Sequence, residues 1–338
     1  MFRLILAVFL LAAVVGGILA FRESRDLARP GTTGNTSVPE VRFCTNPGAT
    51  TPQLPIWAAV QADTAGTTFR LRTEIWRQPA QLQAALLAGE GDLWLGHTEG
   101  FARARAHGAP VVLVAVTGWR KMSVVSFDPA VHGPADFLDR ALPYAPKGSP
   151  AVPLLRSLLG VDADRVRFEP QENKQIAMLL TQHQIQSALL PEPLVSVMLG
   201  KLPDLRVAFL VEEAYAARNQ GRARIPWAGL AVHERIVREY PERVAALVVA
   251  MRAAVAGLNA DLDAAVTVLP AAFADTVAPE VVRASLARDL ILVEDAASAR
   301  DELRTYLEFA APEAFAEDAN WFDDGFLWTG KSLGNPLE

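Results

Sequence analysis

The chain has 338 residues, 51% of them hydrophobic, and a formal net charge of -6, enough material for a large core and more than one folded half. It carries no block of Lys and Arg, the electrostatic footprint that a phosphate backbone asks for, so nucleic acid is not an expected partner. Cys44 is the only cysteine, which rules out an intrachain disulfide and a cysteine-based metal cage.

In chain order, Met1-Phe2-Arg3 supplies one positive charge and Leu4 to Ala20 is an unbroken run of apolar and small residues. That is an export signal whose length lies between a cleaved signal core and a spanning helix, so 1–20 reads as signal peptide or signal anchor. No lipid-attachment cysteine follows the run directly; an anchor, if kept, is the helix itself. Residues 21–37, with Pro30, Gly31, Gly34 and several hydroxyl residues, bury too little to order themselves and read as a flexible tether. The folded part is expected to start near Val38.

From there short apolar strands alternate with helical patterns: strand Val41 to Cys44, helix Leu54 to Ala62, strand Phe69 to Thr73, helix Pro79 to Leu87, then strands Leu93 to Gly96 and Val111 to Val116. Strands joined through helices of this length need crossover connections, which predicts an α/β fold with a parallel, doubly wound sheet and ligand chemistry at the C-terminal strand ends. The chain also resembles itself. Arg70 to Glu74 matches Arg165 to Glu169, Ala84 to Leu87 matches Ala177 to Leu180, and His97-Thr98-Glu99 falls opposite Leu190-Pro191-Glu192, which suggests two similar lobes; similarity between any two helix-strand pairs is the alternative. Beyond Trp227 the pattern turns helical, with Val244, Leu247, Val248, Met251, Val255 and Leu258 on one core-facing stripe.

The run Leu82-Gln83-Ala84-Ala85-Leu86-Leu87-Ala88-Gly89-Glu90-Gly91-Asp92-Leu93-Trp94-Leu95-Gly96, then Gly108-Ala109-Pro110-Val111, Pro191-Glu192-Pro193 and Tyr240-Pro241-Glu242, resembles the nitrate/sulfonate/taurine-type family of ABC transporter solute-binding proteins, which includes thiamine-precursor receptors. The likeness covers roughly Val38 to Asp261. His183-Gln184-Ile185-Gln186 departs from it, lacking the Asp usual at the second-lobe turn, and Asp318 to Trp328 match no known pattern. The resemblance implies a type II periplasmic-binding fold of two doubly wound lobes joined by a two-segment hinge. Lobe 1 would be 38–120 with 228–338 and lobe 2 would be 121–227, with crossings near Lys121 to Phe127 and Trp227 to Val232. It implies an extracytoplasmic protein, tethered to the inner membrane if the N-terminal helix stays, that hands a small molecule to an ABC permease and its ATPase. No cofactor, metal or catalysis is expected.

A receptor cleft needs polar groups at strand ends, helix N-termini and aromatic walls. Candidates are Asn46 and Thr50 after the first strand, and His97, Thr98 and Glu99 at another strand end. Trp119 and Arg120 precede the outward crossing, Lys147, Gly148 and Ser149 open the first helix of lobe 2, Glu192 stands between two prolines and Trp227 lies at the return. Each has a structural alternative: a plain turn at Asn46, helix capping for Thr98, a packing Trp beside a surface Arg, helix stabilisation by Glu192, core packing for Trp227. Arg120 and Lys147 favour an acid group on the ligand and Glu99 and Glu192 an amine or ring N–H. A small organic anion, a zwitterion or a polar heterocycle is therefore expected.

An enzyme is the first competing reading, but there is no Gly-x-Ser-x-Gly elbow, no His-Glu-x-x-His pair and no phosphate-cradling loop, and the five histidines are scattered singly. Some thiamine-pyrimidine relatives are biosynthetic enzymes using a Schiff-base lysine; the sparse lysines here show no motif for that. The second competitor is a membrane-anchored sensor or adaptor of the same fold.

Overall fold

The computed structural model describes residues 38–316 and 320–330. The expected export run and tether, and parts of the C-terminal segment, lie outside the described residues.

The first half alternates as the sequence predicts: β1 (Glu40–Thr45), α1 (Thr50–Ala62), β2 (Arg70–Ile75), α2 (Pro79–Leu87), β3 (Leu93–His97), α3 (Thr98–Ala106) and β4 (Val111–Gly118). Every residue of β4 is buried, which is why it reads as a continuous apolar run rather than an alternating one. Helix α2 starts with Pro79 at a position that needs no N–H, and the Gln81 side chain accepts from Gln78 N at 3.1 Å, closing its first turn. The turn into β3 requires glycine: at Gly91 φ is +104°, and a Cβ would sit 2.4 Å from Trp94 Nε1. Asp92 after it is a tie point, its Oδ2 accepting from Arg42 N at 2.7 Å and its Oδ1 from the Arg235 guanidinium at 2.5 Å.

The chain then builds β5 (Met122–Ser126), β6 (Ala141–Tyr144), α4 (Ala151–Leu159), β7 (Arg167–Pro170), α5 (Asn173–Thr181), β8 (Ser187–Pro191), α6 (Leu194–Lys201), β9 (Arg206–Leu210) and α7 (Val211–Tyr215). It ends with β10 (Ala228–His233), α8 (Glu234–Glu239), α9 (Pro241–Ala260), α10 (Leu262–Thr267), α11 (Pro279–Leu286), β11 (Glu294–Asp295) and α12 (Arg300–Ala310). Two sheets result, ordered β11-β4-β10-β3-β1-β2 and β7-β6-β8-β5-β9.

The expectation of a parallel sheet needs correction. Strand β10 runs antiparallel to β3 and β4, and β5 runs antiparallel to β8 and β9. These are the strands by which the chain enters a sheet from the other one. They start at the edge where the parallel strands finish, so they run in the opposite sense. The segments expected as crossings, Lys121 to Phe127 and Trp227 to Val232, are accordingly these inner strands for most of their length; the connections proper are 119–121 and 216–227.

Reading the second sheet backwards, β4-β10-β3-β1-β2 corresponds to β9-β5-β8-β6-β7. The internal sequence matches fall on equivalent elements: β2 with β7, α2 with α5, and the end of β3 with the end of β8. The stripe on α9 is buried as expected, with Val255 only partly so. One apolar cluster runs through both sheets, joining Leu113 and Trp227 to Val124, Leu189 and Phe209. Helix α12 packs on α3 and α4, and α11 packs on α1, α10 and α6, so each touches elements that flank different sheets.

Candidate functional site

A cavity of about 600 Å³ lies between the two sheets. The residues that reach it are those the topology puts there: Asn46 after β1, Trp76 after β2, His97 at the end of β3, Ser149 and Glu172 after β6 and β7, and Pro191 to Pro193 after β8. Lys121 and Trp227 sit just before the two antiparallel strands. Parallel strands of both sheets therefore end in one space, the position that α/β sheets use for ligands. Val277, Ala278 and Val281 add an apolar side from the start of α11.

Of the candidates named from the sequence, Asn46, His97, Ser149, Glu192 and Trp227 line the cavity. Asn46 is committed to its own turn, donating from Nδ2 to Trp76 O at 3.0 Å and accepting Gly48 N–H at 2.7 Å. Glu192 is buried and its Oε2 accepts from Ser196 N at 3.1 Å and Ser196 Oγ at 2.8 Å, holding the first turn of α6. Its Oε1 takes Arg288 Nε at 2.8 Å, which ties α6 to the segment that follows α11. Trp227 presents an edge to Tyr306 at 5.3 Å and donates its indole N–H to Glu212.

The other candidates are placed elsewhere. Thr50 lines a separate apolar cavity of about 310 Å³. Thr98 does not cap α3; its hydroxyl donates to Pro226 O at 2.5 Å and fastens β3 to the returning segment. Trp119 is fully buried with the Arg224 guanidinium 4.5 Å from its ring, and Arg120 donates to Ala223 O at 2.9 Å. Lys147 and Gly148 are exposed outside the cavity lining.

Glu99 is buried beside His97. Its Oε1 is 3.3 Å from His97 Nδ1, and its Oε2 accepts the Tyr306 hydroxyl at 3.2 Å. Burial works to raise its carboxyl, but the adjacent His97 prevails and holds it below the usual carboxylate range, while burial and Glu99 push the Tyr306 phenol well up. His97 Nε2 in turn is 3.4 Å from Lys121 Nζ. Lys121 was not among the sequence candidates, yet it lines the cavity; burial lowers its ammonium, with Asp289 and Glu99 pulling it back. Two further carboxyls lie in this region. Burial raises Glu212, whose Oε1 accepts from Lys121 N, Met122 N and Trp227 Nε1 while Oε2 has no partner. Burial pushes Asp289 up to about 7, against the Thr51 hydroxyl and the Leu290 N–H and aided by the charge of Glu212. Among the described residues no group of His, Cys, Asp and Glu could hold a metal ion.

No protein-family model matches the sequence, and neither does any curated protein. Solved structures do. The periplasmic aliphatic sulphonate binding protein SsuA from Escherichia coli superposes with a TM-score of 0.67 at 14% identity, covering 89% of this chain and 96% of its own. The fold is that of ABC solute-binding proteins. The alkanesulfonate-binding protein SsuA from Xanthomonas axonopodis pv. citri, bound to MOPS, gives 0.58 at 16% identity over 80% of this chain and 92% of its own. The periplasmic nitrate-binding protein NrtA from Synechocystis PCC 6803 gives 0.61 at 10% identity over 85% of both chains. The α/β fold implied by the sequence motifs is thus the observed one. The Gly91-Asp92 turn that carried the likeness earns its place by fixing β1, β3 and α8 to one another.

Proposed function

We propose that this chain is the extracytoplasmic solute-binding component of an ABC importer, which captures a small organic anion, zwitterion or polar heterocycle and delivers it to a membrane permease without transforming it. The observation that carries the reading is the cavity itself: two topologically equivalent sheets present their C-terminal strand ends to one space of about 600 Å³, a volume suited to a small molecule. The likeness to sulfonate- and nitrate-binding proteins supports it. In this reading 38–120 with 228–338 and 121–227 are two lobes, and 119–121 and 216–227 are the segments about which they open. Asn46, His97, Ser149, Glu192 and Trp227 line the ligand's path, joined by Lys121 and Trp76. Residues 1–20 direct export, and tether the protein to the inner membrane where they are retained.

The test is a thermal-shift screen of the full chain against sulfonates, nitrate, amino acids, pyrimidine precursors and small aromatic acids, with mass spectrometry of each compound afterwards. A ligand at about 100 times its Kd stabilises by about 2.7 kcal/mol. A saturable shift for one chemical class with the compound recovered intact is the expected result; conversion of the compound makes the chain an enzyme instead.

A further inference from the structure

Lys121 ends the outgoing connection with its backbone held twice: its N–H donates to Glu212 Oε1 at 2.9 Å, and its carbonyl accepts the Glu192 N–H at 2.8 Å. These bonds keep it at the cavity wall, where it is the one lysine among the described residues; Lys147, Lys174 and Lys201 are exposed elsewhere. Its side chain forms no ion pair among the described residues, and its one polar contact is His97 Nε2, at 3.4 Å. Trp76, Pro146, Leu194, Trp227 and Val277 make much of the same lining apolar. An ammonium withdrawn from water, with no carboxylate bonded to it, gives up its proton more easily than a solvated one. Burial lowers Lys121 in this way, against the opposing charges of Asp289 and Glu99. The free amine is a nucleophile, and a desolvated lysine in an apolar pocket is the kind that forms Schiff bases with carbonyl compounds.

We propose that Lys121 captures a ligand that bears an aldehyde, holding it as a reversible imine with no cofactor and no turnover. This deepens the receptor reading above and rests on it. The ammonium first gives a proton to solvent. Nζ then attacks the carbonyl carbon: the C–N bond forms, the π pair of C=O moves to oxygen, and a proton passes from nitrogen to that oxygen through water, giving a carbinolamine. A second proton, taken from solvent onto the hydroxyl, lets the C–O bond break with loss of water while the nitrogen pair forms C=N; the nitrogen then returns a proton to solvent. The sum is amine plus aldehyde to imine plus water, and nothing is oxidised or reduced. Hydrolysis by the reverse steps gives the aldehyde back intact, as release from a receptor requires.

The test incubates the full chain with hexanal or benzaldehyde and sodium cyanoborohydride at neutral pH, which reduces an imine to a stable secondary amine, and maps the amines by peptide mass spectrometry. Thermal shift is read in parallel without reductant. At least one aldehyde is expected to label Lys121 ahead of the exposed Lys147, Lys174 and Lys201, and to raise Tm saturably. Lys121→Arg keeps the charge and removes the nucleophile; it should lose the Tm shift and leave labelling of the exposed lysines as it was. Lys121→Met should do the same and serves if the first variant fails to fold. Labelling of the exposed lysines as fast as Lys121, or no label at Lys121 from either aldehyde, overturns the proposal. A Tm shift that survives both substitutions overturns it while leaving the receptor reading intact, because the aldehyde is then held by the cavity without the amine. Conversion of the aldehyde to an acid or an alcohol in the absence of reductant overturns the receptor reading and the proposal with it.

Discussion

On the returning connection, Arg224 uses every guanidinium nitrogen: Nε on Glu302 at 3.0 Å, Nη1 on Glu294 at 2.8 Å, and Nη2 shared between the two carboxylates. Asn219 and Arg222 complete Glu302, and the Trp119 ring covers the guanidinium. On the outgoing connection, Lys121 has the one contact to His97, and nearby Glu212 keeps an oxygen with no partner at all. Both clusters are charged, both are largely withdrawn from water, and both lie where the chain passes between the sheets. The saturated one holds the crossing in place; the unsaturated one faces the cavity and has bonds left to give. The two clusters thus differ in how completely their charged groups are satisfied, and of the two only the one beside the cavity has charged groups with hydrogen-bonding capacity left.

The comparison predicts its largest contrast in stability. Arg224→Met takes from Glu294 the ion pair it makes here and leaves Glu302 with Arg222 and Asn219 alone, and should cost about 3 kcal/mol in chemical denaturation, as breaking a buried ion pair from one side does. Lys121→Met removes a cation that has little to lose and should stay within about 1 kcal/mol of the parent. Equal losses at the two positions would erase the distinction.

An intermediate effect is expected at Arg288. It joins Glu192 and Ser196 to the segment after α11, on the side where α11 borders the cavity, and it is the polar part of an otherwise apolar contact between α11 and α6. Arg288→Ala leaves Glu192 its two bonds from Ser196, so the loss should be about 2 kcal/mol or less. If the two sheets separate when the cavity opens, the variant should also show a larger radius of gyration in solution scattering without ligand. An unchanged radius would make the bond a plain brace.

Much of this architecture was legible because β1, β3 and β4 are largely buried runs bounded by clear turns, and because the same helix-strand pattern returns about one lobe later. The antiparallel strands were not legible as such, since β5 and β10 are apolar like their neighbours and direction is set by where the chain enters a sheet. Strand-end position found Asn46, His97 and Glu192, the start of a lobe-2 helix found Ser149 and the returning crossing found Trp227, but none of these says which way a side chain turns. Thr98 and Glu99 follow His97 directly, yet one is claimed by Pro226 and the other by Tyr306, residues 128 and 207 positions away. Lys121 stood in the sequence only as the start of a crossing, and Arg288 carried no signal because its partner Glu192 is 96 residues distant.

The effect that is smallest at mildly acid pH belongs to Asp289, and it grows with pH. Its carboxyl is pushed up to about 7 in the folded chain, whereas in the unfolded chain it titrates near its ordinary value of about 3.9. Between those values the folded state holds a proton that the unfolded state has released. The group therefore favours folding at the acid end of that window, and the advantage is lost as pH rises through about 7. Asp289→Asn keeps the shape and removes the titration. Its Tm should match the parent below the window and exceed it by about 3 °C near about pH 5, with about 1.4 kcal/mol for each pH unit into the window and about 2 °C for each kcal/mol in a chain this large. The measurement also sharpens the contrast with Arg224, because Glu294 and Glu302 are fully paired and the corresponding Gln variants there should lower Tm at neutral pH instead of raising it. A parent whose stability does not decline toward neutral pH relative to Asp289→Asn would mean that the carboxylate at 289 is stabilised as well as those around Arg224, and that Lys121 is more fully engaged by it than its single contact to His97 shows.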